Sequence, residues 1–217
     1  MSERRKIIMK RKLARMLIII GIIGIAVSLI LLFVKPTHPV KLPFGIQVAS
    51  SPATDKPTAE QVASYTVDKL VPKYIEIPAI HVEKSRIFGF GLLPNGQIAT
   101  PDNTNDAGWY NGSGKPGEDG AVFIFGHVSS HANNGLFHNL HNLKPGDKVM
   151  VTRGDDIVYT YQVISTTVYP SDHVDMGAAL SPIDPTRASL NLMTCDGEPL
   201  SGTTTFDHRL VVFTSQI

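Results

Sequence analysis

The stretch from Met16 to Val34, MLIIIGIIGIAVSLILLFV, is nineteen residues long and carries no charged side chain. As a helix rising about 1.5 Å per residue it comes close to the roughly 30 Å of a bilayer's hydrocarbon core. Such a run has no place on the surface of a small water-soluble domain, so it divides the chain. Before it, Arg4, Arg5, Lys6, Lys10, Arg11, Lys12 and Arg15 face only Glu3, and after it only Lys35 follows closely. Positive flanks stay on the cytoplasmic side. The expectation is a basic cytoplasmic tail over 1–15, one transmembrane helix over 16–34, and the rest of the chain outside the cell. The rival is a cleaved signal peptide with Val48-Ala49-Ser50 as its processing site. The apolar run exceeds the usual signal core of about 7–15 residues, and those small residues lie well past its end, which favours a retained single-pass anchor.

The formal charge of +1 over 217 residues hides this asymmetry: with six surplus positive charges in the tail, the remainder is net negative by five. A mildly acidic globular part without a basic stripe argues against nucleic acid as a partner, because that affinity comes mainly from cations neutralising phosphates. A single cysteine, Cys195, excludes an intramolecular disulfide framework and a multi-cysteine metal site. It is either a small buried hydrophobe or a reactive thiol.

Residues 35–72 carry Pro36, Pro39, Pro43, Pro52, Pro57 and Pro72 among Ser, Thr and Ala and read as an extracellular stalk. Within it, Ala59 to Leu70 has loose helical spacing behind a Thr58 N-cap and either packs on the following domain or serves as a spacer. From Lys73 to the C-terminus short Val/Ile/Tyr/Phe runs alternate with Gly, Pro, Asn and Asp clusters, the pattern of one all-β domain, a barrel or sandwich with mostly antiparallel strands. Strands are expected at Tyr74–Ile80, Val82–Gly89, Ala121–Gly126, Lys148–Thr152, Ile157–Tyr169, Ser189–Thr194 and Arg209–Thr214. Arg153-Gly154-Asp155-Asp156 suits a tight hairpin turn, and Leu93-Pro94-Asn95-Gly96 reads as an ordinary Pro-containing turn.

The runs LNLMTC (190–195) and RLVVF (209–213) are joined by a Gly- and Thr-rich loop. Paired as antiparallel neighbours, they bring Cys195 and Arg209 together at one rim. His127 holds a comparable position, directly after AVFIFG. A cation near a thiol favours the nucleophilic thiolate. An imidazole can pass a proton to a leaving amine, and a guanidinium offers donors to a carbonyl oxygen gaining charge. Together these suit acyl transfer through a thioester. His131, His138 and His141 fall in one region, but their spacing is not HExxH and no cysteine is near, so no metal site is expected.

On IFGHVSS (124–130), NLMTC (191–195) and RLVVF (209–213), in that order and separated by 68 and 14 residues from His127 to Cys195 to Arg209, the chain resembles the sortase family. IEIPAIHV (75–82), GWY (108–110), PGEDGAVFIFGH (116–127) and GLFHNLHNLKPGD (135–147) extend the match over essentially all of 73–217. The resemblance implies a closed β-barrel of about eight strands with short helices and catalytic His127, Cys195 and Arg209. It also implies cleavage of an LPXTG-like signal between Thr and Gly with no cofactor, followed by transfer to an amine of a cell-wall precursor or another surface protein. Thr194 is retained from the family's TLxTC pattern, whereas Asn191 replaces its first Thr; both are expected to bear on substrate binding. Residues 168–189 correspond to the loop that covers the sorting peptide, and 196–208 to the loop beside the active site. GWY is most similar to the class E and class F sortases, with class F preferred. Two further readings are an L,D-transpeptidase, whose SHGC-type motif is absent, and an anchored adhesion or scaffold module with a buried Cys195.

Overall fold

A computed structural model of the chain describes residues 55–129, 133–200 and 205–217. The expected cytoplasmic tail, transmembrane helix and most of the stalk lie outside these residues. Among the described residues no helix is long and apolar enough to cross a membrane.

Eight strands, β1 (Pro72–Ile77), β2 (Val82–Phe90), β3 (Ala107–Tyr110), β4 (Ala121–Gly126), β5 (Lys148–Arg153), β6 (Val158–Pro170), β7 (Ser189–Pro199) and β8 (Phe206–Gln216), close into one barrel in the order β1-β2-β3-β4-β7-β8-β6-β5. The pairs β2–β3 and β4–β7 are parallel and the other six antiparallel. The barrel is therefore mixed: each parallel pair needs a long crossover, supplied by residues 91–106 and by the excursion through β5 and β6.

Local chemistry explains the boundaries. The expected first strand stops at Ile77 because Pro78 lacks a ladder donor and opens a 3-10 turn over Pro78–Ile80. The β5–β6 hairpin turns where expected, with Arg153 N donating to Ile157 O at 2.8 Å and Asp156 in the left-handed region at φ 63°. Leu93 to Gly96 is a turn, Gly96 N donating to Leu93 O at 2.9 Å with φ +81°. β3 has no strand signature in the sequence, because AGWY is short and shows no apolar alternation. A side chain at Gly108 would collide with the Phe125 ring, 2.4 Å from the Cβ position.

The expected helix at 59–70 is a single turn, α1 (Ala59–Ala63), closed by a Thr58–Gln61 capping box. It docks on the barrel rather than standing clear, for the Tyr65 hydroxyl donates to Ile87 O and the Tyr74 hydroxyl to Val62 O. Beside it Arg86 makes a two-pronged ion pair with buried Asp106, at 2.9 and 2.7 Å.

Period-two alternation on the strands divides two apolar clusters. Val122, Ile124, Leu190, Leu192, Leu210 and Val212 point into the barrel with Ile75, Ile77, Val149, Val151 and Tyr161. Phe123, Phe125, Val211 and Phe213 point outward, with Met193 partly buried beside them. They are covered by residues 174–180, which include a second short helix, α2 (Met176–Ala179). Each fully buried Val or Phe contributes about 1.5–3 kcal/mol, so burial of Phe123 and Val211 favours the cover lying on this face.

Candidate active site

The three residues singled out for chemistry stand on neighbouring elements at one end of the barrel. Cys195 on β7 is directly opposite Arg209 on β8, and Arg209 is in turn opposite Tyr169 on β6. On the other side of β7 the parallel register pairs Phe125 with Met193; continued by two residues it brings His127, just past the end of β4, abreast of Cys195. The outward series Phe123–Phe125 on β4, Met193 on β7 and Phe213–Val211 on β8, carried on by alternation, gives His127, Cys195 and Arg209 the same outward face.

His127 Nε2 lies 3.0 Å from the carbonyl oxygen of Pro101. A carbonyl only accepts, so Nε2 carries the hydrogen and Nδ1 is left for proton exchange. The backbone behind the ring is braced by Phe137 N donating to His127 O and Gly135 N to Val128 O, both at 3.0 Å, and by Leu136 N donating to Thr104 O at 2.8 Å. The bracing role of the Pro101 carbonyl has no signature in a sequence. Of the other histidines, His138 is tied through Nδ1 to Val128 O at 3.2 Å, and His131 lies outside the described residues.

Cys195 is partly buried and a free thiol. Burial pushes its pKa up from the ordinary thiol value, against the pull of the neighbouring Arg209 charge. Arg209 Nη1 donates to the carbonyls of Phe206, at 3.0 Å, and His208, at 2.7 Å, which holds the guanidinium itself at the start of β8. Strands β7 and β8 continue past Cys195 and Arg209 to Pro199 and Phe206, so the connecting loop is shorter than the 196–208 expected. Gly197, at φ +81°, packs against the Asp207 carboxylate, whose pKa is held down chiefly by the hydrogen bond with His208.

Thr194 and Asn191, the two residues expected to bear on substrate binding, both have buried side chains. The Thr194 side chain, only 4% exposed, points away from the outer face, and its hydroxyl donates to Gly126 O at 2.9 Å, joining the strand of the cysteine to that of the histidine. Asn191 faces outward but is completely buried under residues 179–181. Both lie beneath the surface of the domain. A cavity of about 600 Å³ between α1, the start of β2 and residues 134–139 contains none of His127, Cys195 or Arg209.

The model of the sortase domain family matches residues 75–217. Among solved structures, the chain is similar to the SrtA sortase of Actinomyces oris, at 20% identity over 71% of this chain and 89% of that one, with a TM-score of 0.52. It is similar to sortase C of Streptococcus pneumoniae, at 22% identity over 79% and 80%, TM-score 0.52. It is likewise similar to sortase A of Corynebacterium diphtheriae, at 22% identity over 76% and 72%, TM-score 0.52. At such identities the likeness to these structures is one of fold. A search of curated proteins found no match.

Proposed function

From the premise that the chain belongs to the sortase family of cysteine transpeptidases, we propose that His127, Cys195 and Arg209 cleave an LPXTG-like sorting signal and transfer its acyl part to an amine. The Cys195 thiolate attacks the Thr carbonyl carbon, the bond to the following Gly nitrogen breaks, and a proton from His127 goes to the departing amine. Arg209 faces the carbonyl oxygen while it carries negative charge. An amine of a cell-wall precursor or of another surface protein then attacks the thioester, gives its proton to His127 and releases the thiolate. Because burial favours the neutral thiol, the resting enzyme must lose the Cys195 proton before attack, and Arg209 limits that cost.

The observation that carries this reading is the single row formed by the end of β4, Cys195 and Arg209 across three adjacent strands, inside the region matched by the family model. Residues 16–34 serve as the single-pass anchor that holds the catalytic domain on the outer side of the cell membrane. The GWY of β3 is the basis for placing the chain in class F, ahead of class E. Thr194 and Asn191 act on substrate binding through the strands and cover they hold. The test is turnover of a fluorogenic LPXTG peptide: wild type cleaves it and Cys195→Ala, folded by its melting curve, does not. Retained turnover by Cys195→Ala refutes the assignment.

A further inference from the structure

The departure from the family's TLxTC pattern at Asn191 lies on the same face of β7 as Met193 and Cys195, in the middle of the outer apolar cluster. Its side chain is fully buried. Its Nδ2 donates to the carbonyls of Ala179 at 2.9 Å and Ser181 at 2.8 Å. These carbonyls stand at the C-terminal end of α2, where a helix leaves its last carbonyls without intrahelical partners. The strand underneath therefore caps the helix above it. An unbranched amide with two hydrogens can serve both acceptors, whereas the hydroxyl of a Thr has one donor on a shorter stem.

The cap is one of several ties on this segment. Asp175 Oδ1 accepts from Ala178 N at 2.9 Å, and Ser181 Oγ donates to Gly177 O at 2.7 Å. Buried Ala179 packs into Phe123, Phe125, Val211 and Phe213, with Val174, Met176 and Leu180 around it. Asn191 is the tie that reaches from the barrel wall to the cover. It has a cost, since its Oδ1 is buried with no hydrogen-bond partner among the described residues, a debit of the kind that persists where a polar group serves a purpose.

We propose that Asn191 is a positioning residue that fastens residues 176–181 to β7 before substrate arrives, so that the wall flanking the approach to Cys195 is already built in the free enzyme. This rests on the sortase reading above. Ordering a loop on binding subtracts from affinity, and ordering it beforehand restores that affinity. The effect of Asn191 falls on peptide binding and leaves the bond-breaking step to the three residues at the rim.

The experiment compares wild type with Asn191→Thr and Asn191→Ala by amide hydrogen exchange in the absence of peptide, and by steady-state kinetics with a fluorogenic LPXTG peptide. Loss of both bonds in Asn191→Ala lowers the protection of the amides of Ala179, Leu180 and Ser181 by about tenfold, and Asn191→Thr lowers it less. KM rises by a similar factor in the same order, while kcat falls by much less. Unchanged exchange at 179–181 in both folded variants overturns the proposal, as does a fall in kcat with KM unaltered. If Asn191→Ala fails to fold, Asn191→Thr, which installs the family's own residue, decides the matter alone. A wild-type enzyme inert toward the peptide counts against the sortase reading itself and is recognised before the variants are compared.

Discussion

Replacing Gly135 by alanine tests whether the backbone behind His127 must stay where it is. The added Cβ would stand 2.3 Å from His127 O, 2.7 Å from its carbonyl carbon and 3.0 Å from its Cβ. Ordinary contact begins near 3.4 Å, so the two segments must part by about 1 Å. Both sides of the clash include backbone, and no rotamer change relieves it. Either Gly135 moves away, at the expense of the bonds from Gly135 N to Val128 O and from Phe137 N to His127 O, or His127 moves with its ring. Overpacking of this sort costs about 1–3 kcal/mol. A displacement of about 1 Å at a catalytic group lowers turnover by up to roughly a hundredfold. The assay is kcat/KM on the fluorogenic peptide beside a chemical melt of the same preparation. The expected result is a rate reduced by about ten- to a hundredfold in a protein that still folds cooperatively. Wild-type kcat/KM in Gly135→Ala would refute the claim that catalysis depends on this placement of His127.

Three further outcomes follow from the site and its supports. Alkylation of Cys195 by iodoacetamide accelerates as pH rises, through a midpoint above that of an ordinary thiol because burial favours the protonated form. In Arg209→Ala the midpoint moves higher still, since the opposing positive charge is gone; a shift to lower pH, read by mass spectrometry of the adduct, contradicts the electrostatics. Arg209→Lys keeps the charge and loses the planar fork of donors, so transfer falls by about tenfold or more, and an unchanged kcat would confine Arg209 to a structural role. Asp106→Asn leaves the part-buried Arg86 guanidinium without its counter-ion, which costs up to about 3 kcal/mol. That is a melting temperature lower by up to roughly 10 °C, and an unchanged melt would mean that solvent reaches this pair.

The antiparallel pairing of 190–195 with 209–213 was legible because both are β-prone, largely apolar runs joined by one Gly- and Thr-rich connection, and that register puts Arg209 opposite Cys195. The hairpin at 153–156 was legible from its Gly and Asp residues. What escaped were features carried by backbone atoms and by parallel neighbours. The adjacency of β4 and β7 joins segments far apart in the chain, and β3 separates β2 from β4 through four residues without a periodic signal. The Pro101 carbonyl that sets the tautomer of His127 is a group every residue possesses, so no side-chain pattern marks it. Thr194 and Asn191 stood out by their place in the NLMTC run, but the direction of their side chains did not. Odd and even positions on β7 face opposite sides, and only the cover over Asn191 reveals that an outward residue on this strand is buried.

The central claim, that Cys195 forms a thioester with a sorting signal, is tested most directly by the intact mass of the catalytic domain after brief incubation with an LPXTG peptide and acid quench. The account predicts an adduct equal to the peptide's acyl part up to its Thr, located on Cys195 by fragmentation, and released when an amine acceptor is added before the quench. Cleavage of the peptide without an adduct in the wild type, together with the same cleavage by Cys195→Ala, would contradict it.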